Sequence, residues 1–417
     1  GAIMIVAGAG SGKTRTLTYR VAHLLEKGVD PFSILLLTFT NKAAEEMRER
    51  IKNLVGNNAK AILMGTFHSV AARILRLEAE KLGYIKNFVI YDTSDSKSLL
   101  KNILKDKGFD TKVYNPSYVL DRISKAKSSL ISAEEYSEDP IKRTEDVVAG
   151  KPAIAELYRE YERRLRQSMA MDFDDLLFNL HRLLVLDLTV ADKYRQRFKY
   201  IMVDEYQDTN HVQYMIVKNL AARHKNVCVV GDDAQSIYAF RGANIQNILN
   251  FKKDYENVRI FKLEQNYRSS QNIVNAANSV IDKNIDRIKK NVWTSNPEGE
   301  KIVFKQFSSD RNEAEEVCDR IKERKAETSC SYMDMAILYR TNSQSRAFED
   351  ALRFRNIPYR LFGGLSFYSR KEIKDVLAYF RLVVNNNDND AFLRIINYPA
   401  RGIGQTSLDR LKIAADS

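Results

Sequence analysis

The sequence has few of the residues that build disulfide-bonded or zinc-centred proteins. Its three cysteines are far apart and odd in number, and its five histidines show no ligand spacing. Neither a disulfide framework nor a zinc site is therefore predicted, and a reducing, cytoplasmic compartment is expected. Cys228 lies in an apolar stretch and is predicted to be a small core residue.

Long apolar runs are also missing. No stretch approaches the roughly 20 residues of a membrane-spanning helix, so no membrane partner is expected, and we find neither an internal repeat nor a low-complexity segment. The 417 residues exceed one ordinary core, and roughly two to four domains are predicted. Lysine and arginine number 66 against 54 acidic residues, giving a net charge of +12. This excess is spread along the chain and favours a polyanionic partner, with nucleic acid the leading candidate.

Apolar segments that alternate with helical patterns predict the fold class. Strands are predicted at 3–6, 34–40, 61–67, 200–203, 227–230 and 259–263, whereas residues 69–198 are mainly helical. Such a pattern is typical of an α/β fold with a doubly wound parallel sheet, here interrupted by a helical insertion. A second α/β pattern follows, with helices at 272–281, 311–324 and 345–354 and strands at 302–307 and 335–339. Gly363 and Gly364 are predicted to be a hinge, and 385–390 a polar loop.

A glycine-rich loop follows the first predicted strand and precedes a helix predicted at about 14–27. The loop contains Gly8, Gly10, Ser11, Gly12, Lys13 and Thr14. Glycines let backbone N–H groups face an anion, and the helix N-terminus points at the same place. Lys13 can reach the β- and γ-phosphates of a nucleotide, and the Thr14 hydroxyl can bind Mg²⁺.

Two carboxylates stand at the end of the strand predicted at 200–203. Ligands of open α/β sheets bind at the carboxyl ends of the strands. Asp204 is therefore predicted to hold Mg²⁺, directly or through water, and Glu205 to act as the general base on the attacking water.

Further loops carry groups suited to phosphate and to bases. Gln235 could contact the γ-phosphate or hold the attacking water, and Arg268 could stabilise transition-state charge. Candidates for single-stranded nucleic acid are Tyr238, Phe240 and Arg241, together with groups in 38–42 and 65–69. A core position for the two aromatic residues remains open, as does a helix N-cap role for Thr40 or Asn41.

Taken together, these segments resemble the motifs of the UvrD/PcrA/Rep-type superfamily-one DNA helicases. The matching segments run in order along the chain, at 7–15, 38–44, 65–69, 172–176, 203–210, 231–243, 263–270 and 339–346. The chain departs from the family pattern at Ala234, where aspartate is commoner, and at Phe240, where tryptophan is usual.

The resemblance implies a P-loop NTPase that binds ATP and Mg²⁺ between two RecA-like domains and moves 3′-to-5′ on single-stranded DNA. Junctions of single- and double-stranded DNA would be substrates, with repair or replication proteins as candidate partners. It implies that Arg15 lies beside the base, that Tyr267 stacks on adenine, and that Lys13, Gln235 and Arg268 assist Glu205. The implied DNA-contacting set is Phe39, Asn41, Thr66, His68, Tyr238, Phe240, Arg241, Arg340 and Asn342.

The family layout implies four parts. Residues 1–67 and 199–264 would form the first RecA-like domain, 68–198 its helical insertion, 265–364 an incomplete second RecA-like domain, and 365–417 the start of another insertion. The adenine-contacting glutamine of the family would precede Gly1 and its last motifs would follow Ser417. We therefore expect the chain to be a fragment of a longer protein, weakly active or inactive alone.

Other functions remain open on the sequence alone. One is an ATP-gated module that binds single-stranded DNA with negligible turnover, and another is a helicase–nuclease subunit. A small-molecule kinase would share the phosphate loop, but it would not account for the loops at 38–42 and 235–241. Stimulation of ATP hydrolysis by DNA would exclude the binding module, whereas hydrolysis that DNA does not change would favour the kinase.

Overall fold

The computed structural model describes residues 1–285, 287–362 and 370–416. Contacts divide the chain into two units, Gly1–Glu300 with Ala378–Ser417, and Lys301–Leu377. The four-part layout given above stays a prediction. The hinge predicted at Gly363 and Gly364 lies outside the described residues.

A parallel sheet forms the centre of the first unit. Its strands are β1 (Ile3–Ala7), β2 (Ile34–Thr38), β3 (Leu63–Thr66), β6 (Tyr200–Val203), β7 (Val227–Gly231) and β8 (Arg259–Leu263). They pair in the order β3-β2-β6-β7-β1-β8, and every neighbouring pair is parallel. A separate short parallel pair joins β4 (Val89–Ile90) to β5 (Ala170–Met171). The predicted α/β fold with a RecA-like parallel sheet is confirmed.

Both faces of this sheet are buried along β1, β2, β6 and β7, which explains the uninterrupted apolar runs of these strands, whereas the edge strand β8 is largely exposed. Met4 and Val6 of β1 belong to one hydrophobic core, whereas Ile3 and Ile5 point to the other face and belong to a second core. Cys228 pairs with Ile3 across β7 and β1 and lies in that second core with 2% exposure. Its prediction as a small core residue is confirmed.

Helices cover the sheet and build the insertion between β3 and β6. Two helices follow the first strands, α1 (Lys13–Glu26) and α2 (Asn41–Val55). The insertion contains α3 (Phe67–Glu78), α4 (Thr93–Asp106), α5 (Pro116–Ser128), α6 (Ala133–Glu138), α7 (Pro140–Val148), α8 (Ile154–Gln167), α9 (Phe173–Leu186) and α10 (Leu188–Arg197). Its interior holds the buried ammonium of Lys127, paired with Glu162, Asp172 and Asp175. The predicted helical insertion is present.

The remaining helices of the first unit follow β6 and its neighbours. They are α11 (His211–Ala221), α12 (Gln246–Leu249), α13 (Phe251–Asp254) and α14 (Gln271–Ile281), with α18 (Asn389–Ile395) and α19 (Gln405–Asp416) near the end of the chain. The helix α17 (Lys371–Val384) runs across the boundary of the two units. Among the described residues, none of the helices combines the length and the hydropathy that a membrane span requires.

The second unit contains α15 (Asp310–Glu327) and α16 (Ser345–Phe354), as predicted, packed around Cys318 and Phe348. The strands predicted at 302–307 and 335–339 are wrong, since neither segment pairs with a strand in the described part of the chain. Phe304 is 91% exposed and Leu338 is 93% exposed. An apolar, β-prone segment becomes a strand only when a neighbouring strand takes its backbone hydrogen bonds.

Candidate functional site

The candidate site follows the carboxyl edge of the parallel sheet. Because all the strands of this sheet are parallel, the loops that follow them leave at the same edge. Those loops carry the residues singled out from the sequence, at 8–14, 39–41, 66–68, 204–205, 232–241 and 264–268. The fold therefore brings together segments that lie up to 260 positions apart in the chain (268 − 8).

The phosphate loop is held in a conformation that needs glycine. Gly10 and Gly12 have φ values of 69° and 89°, in the left-handed region. A Cβ on Gly10 would also lie 2.9 Å from Cβ of Arg268, so the backbone of the two loops meets closely there. Gly12 gives α1 no side-chain cap. The first N–H groups of α1 are thus left to an anion.

Lys13 joins this loop to the acidic end of β6. Its Nζ donates to Oε2 of Glu205 at 2.9 Å, and the two side chains are 10% and 33% exposed. Glu205 has a left-handed φ of 50°, unusual for glutamate. The predicted phosphate-binding cation and the predicted base therefore contact each other directly.

The surroundings of Asp204 are those expected of a magnesium ligand. The residue is 2% exposed, its Oδ1 is buried without a hydrogen-bond partner, and the nearby Thr14 hydroxyl favours the charged form by lowering the carboxyl pKa. Burial and the charge of Glu205 raise the pKa of Asp204 to about 7, although Lys13 opposes them. A buried carboxylate short of positive charge beside a hydroxyl suits Mg²⁺, which keeps its remaining sites for water and phosphate. The described residues contain no cluster of three or more His, Cys, Asp or Glu that could hold a metal by themselves.

Gln207, for which no role was predicted, connects two parts of the site. This residue is 1% exposed, its Nε2 donates to Oε2 of Glu205 at 2.9 Å, and its Oε1 accepts from the backbone N–H of Asp232 at 3.0 Å. Gln235 in turn donates to Oδ2 of Asp232 at 2.6 Å. One hydrogen-bonded path therefore runs from the predicted base to the predicted γ-phosphate contact.

Asn266 was also missed, and it attaches the loop of Arg268 to the phosphate loop. Its Nδ2 donates to the carbonyl of Ala9 at 2.8 Å, and its Oδ1 accepts from the backbone N–H groups of Arg268 and Ser269. The backbone N–H of Tyr267 donates to the carbonyl of Gly10 at 3.0 Å. The backbone of Arg268 is therefore held next to the loop predicted to bind the phosphates.

The two residues predicted beside the base are exposed near this loop. The Tyr267 side chain is 66% exposed, and its hydroxyl donates to Oε1 of Gln265. The guanidinium of Arg15 lies 5.4 Å from the ring centroid of Tyr19. Both predicted base contacts are thus accessible, and their roles stay predictions.

An aromatic stack lies on the same edge. The rings of Phe39 and Tyr238 stack with centroids 5.6 Å apart, and Tyr238 is 6.0 Å from Phe240. The guanidinium of Arg241 lies 5.4 Å and 5.5 Å from these last two ring centroids. Phe240 is 66% exposed, so it is not a core residue. The stack presents flat apolar faces next to a fixed positive charge.

The other predicted DNA contacts on this edge differ in accessibility. Asn41 is exposed as the first residue of α2, and Thr40 provides the N-cap. Thr66 is buried, and its hydroxyl caps α3 by accepting from Ser69. The Thr66 hydroxyl, which was predicted to contact DNA, thus already accepts a hydrogen bond within the protein.

His68 extends the edge toward the helical insertion. Burial lowers the pKa of His68, and its ring meets the ring of Phe173 edge-on at 6.0 Å. Phe173, the first residue of α9, is 48% exposed. The only sequence signal that Phe173 belongs to the site was its position in the matched segment 172–176. An exposed aromatic residue does not by itself indicate which residues it contacts.

Arg340 and Asn342 belong to the unit Lys301–Leu377. Both are exposed in a turn before α16, where Oε1 of Gln344 accepts from the backbone N–H groups of Arg340 and Thr341. The geometry leaves their side chains accessible, and their role stays a prediction.

The parallel sheet, the phosphate loop and the two acidic residues after β6 define the class of P-loop nucleotide-binding proteins with a RecA-like fold. Comparison with known families agrees and goes further. Residues 1–256 match the UvrD/REP helicase N-terminal domain, and residues 261–416 match the UvrD-like helicase C-terminal domain. The chain belongs to the UvrD-like helicase family, as its motifs predicted.

Curated relatives include proteins named ATP-dependent DNA helicase PcrA. One from Staphylococcus aureus (strain Mu50) is 47% identical over 413 residues, which cover 99% of this chain and 56% of the relative. One from Staphylococcus epidermidis (strain RP62A) is 47% identical over 416 residues, or 100% of this chain and again 56% of the relative. The chain thus spans a little over half the length of these relatives.

Proposed function

We propose that this protein couples Mg-ATP hydrolysis to 3′-to-5′ movement on single-stranded DNA and unwinds duplexes at single-strand junctions. One observation carries the proposal: the Lys13–Glu205 nucleotide site and the Phe39–Tyr238–Phe240 stack share one sheet edge. The names of the relatives support it. A cytoplasmic location and repair or replication proteins as partners belong to the same proposal.

In the proposed nucleotide chemistry, Lys13 exchanges its ion pair with Glu205 for contacts with the β- and γ-phosphates of ATP. This exchange removes one of the two hydrogen bonds that Oε2 of Glu205 accepts, and the other, from Gln207, keeps the side chain in place. Glu205 then accepts a proton from the water that attacks the γ-phosphorus. Thr14 and Asp204 would hold Mg²⁺, which neutralises developing charge on the phosphates when bound.

Gln235 and Arg268 would complete the phosphate contacts. Gln235 is oriented by Asp232, and the Arg268 loop is attached to the phosphate loop through Asn266. Both side chains add positive or polar groups where charge develops in the transition state. Tyr267 and Arg15 would contact the adenine.

Coupling to DNA would run through the loop 232–241. Gln235 stands near its start, and Tyr238 and Phe240 follow within five positions (240 − 235). Bases would stack on the exposed rings while Arg241 meets the backbone phosphates. Phe173 beside His68 extends this surface. DNA contacts by Arg340 and Asn342 belong to the same proposal.

Direction of movement is tested by strand displacement. The protein is given ATP and a duplex with a single-stranded tail, either on the 3′ side or on the 5′ side, and release of the displaced strand is followed. We expect displacement from the 3′-tailed duplex and none with Lys13→Ala. Preference for the 5′ tail would reverse the proposed polarity, whereas DNA binding without displacement or hydrolysis would favour an ATP-gated binding module.

A further inference from the structure

A buried lysine outside the predicted motifs pairs with two neighbouring carboxylates in the site. Nζ of Lys290 lies 2.6 Å from Oδ1 of Asp232 and 2.7 Å from Oδ1 of Asp233. The three side chains are 7%, 3% and 1% exposed, respectively. Adjacent carboxylates at this depth repel each other unless a cation compensates them. Lys290 supplies that cation.

Lys290 is delivered by a segment fixed at several points, which we name the strap (residues 288–293). At its start, the backbone N–H of Ile288 donates to Oδ2 of Asp233 at 2.9 Å. Farther along, the N–H of Asn291 donates to Oε1 of Glu264, and the N–H of Trp293 donates to the Glu264 carbonyl. The ammonium of Lys290 is therefore held in place by its own backbone as well as by its partners.

The strap also contacts the loops that hold the nucleotide residues. The carbonyl of Trp293 accepts from the N–H of Asn266 at 2.7 Å, and Asn266 is the residue that attaches the Arg268 loop to the phosphate loop. A Cβ built on Gly8 would lie 2.8 Å from Val292. The strap thus contacts the loops of the nucleotide site through residues that follow Lys290 as well as through Lys290 itself.

Asp232 connects Lys290 to the residues predicted to act in ATP hydrolysis. Its Oδ2 accepts from Nε2 of Gln235, while its Oδ1 accepts from the N–H of Ala234 at 3.1 Å and starts the turn that contains Gln235. Its own N–H donates to Gln207, which holds Glu205. Removal of Lys290 would leave two like charges buried side by side, and the Asp232 carboxylate that accepts from Gln235 would lose its ion pair.

We propose that Lys290 is a positioning residue that orients Gln235 through Asp232 for ATP hydrolysis. The proposal rests on the proposed function, because it assigns Gln235 a part in the hydrolytic transition state. An interaction realised mainly in the transition state changes kcat and leaves KM nearly constant. A purely structural lysine would instead lower the amount of folded protein and leave the kinetics of the folded fraction unaltered.

The first test compares Lys290→Met, Lys290→Arg and a matched control, Lys289→Met, which removes the exposed neighbouring lysine of the strap. At saturating single-stranded DNA, Lys290→Met lowers kcat about tenfold, while KM for ATP stays within about twofold. Lys290→Arg restores most of the rate, and Lys289→Met equals wild type. Equal rates for the two methionine variants, normalised to folded protein, would overturn the proposal.

A double-variant cycle tests the route through Gln235. In a Gln235→Ala background, Lys290→Met is expected to cause less than about a twofold further loss, since both changes remove the same interaction. A full second tenfold loss would show that Lys290 acts independently of Gln235 and would overturn the proposal.

A binding measurement separates this proposal from the proposed function. ADP with aluminium fluoride mimics the phosphoryl-transfer transition state, and its affinity relative to ADP alone can be measured by displacement of a fluorescent ADP. Lys290→Met is expected to lower this ratio about tenfold, whereas Lys289→Met keeps it. If wild-type hydrolysis ignores DNA, the proposed function fails, yet this ratio still decides the role of Lys290. An unchanged ratio in Lys290→Met would overturn that role.

Discussion

Replacement of Glu205 by glutamine is expected to lower kcat for ATP hydrolysis about 10²- to 10⁴-fold, the range for loss of a general base. ATP affinity should change little, because glutamine has the same shape and keeps an oxygen for Gln207 Nε2. Lys13 loses its charged partner and is freer to bind phosphate. Single-turnover hydrolysis and binding of a fluorescent ATP analogue measure the two effects separately.

The matched control for this prediction is Glu256→Gln, an exposed glutamate outside the sheet edge. It should hydrolyse ATP at the wild-type rate. Unimpaired hydrolysis in Glu205→Gln would remove the base assignment, and a large loss of ATP affinity would mean that Glu205 acts mainly in building the site.

Replacement of Phe240 by alanine is expected to weaken single-stranded DNA binding about 5- to 150-fold, since stacking of one base on an aromatic side chain is worth about 1–3 kcal/mol. The ring is 66% exposed, lies at the solvent-facing side of the stack, and contacts Tyr238 and the Arg241 guanidinium. Its removal therefore leaves the Phe39–Tyr238 pair and the core intact. Fluorescence anisotropy of a labelled oligothymidine at fixed salt measures the loss.

Phe32→Ala provides the control for this measurement. Phe32 is 57% exposed, but it lies just before β2, at the amino end of the strands and away from the candidate surface. Its removal should leave DNA affinity within about twofold of wild type. Equal affinities for Phe240→Ala and wild type would mean that the aromatic stack does not contact bases.

The parallel sheet and its edge could be predicted because their signals are local. Apolar runs buried on both faces specify strands such as β1 and β7 without knowledge of their partners. The glycine-rich loop and the two carboxylates after β6 are likewise short motifs with a fixed neighbour. The ends of the strands were predicted less well. For example, β2 ends at Thr38, whereas the sequence pattern predicted a strand up to residue 40.

The connections between these motifs could not be predicted, since they depend on long-range contacts. Gln207 lies 25 positions from Asp232, and Lys290 lies 57 positions from Asp233, and neither residue type signals its partner in the sequence. The strand predicted at 302–307 is wrong for the same reason. Its residues favour a strand, but strand formation depends on a partner that their own sequence does not specify.

If the nucleotide site and the aromatic stack act together, ATP hydrolysis depends on DNA. Steady-state hydrolysis by the purified protein is measured with and without a single-stranded oligonucleotide, beside Lys13→Ala. We expect strong stimulation by DNA that is absent in Lys13→Ala. Hydrolysis indifferent to DNA would contradict this expectation, because the shared sheet edge would then carry two unconnected functions.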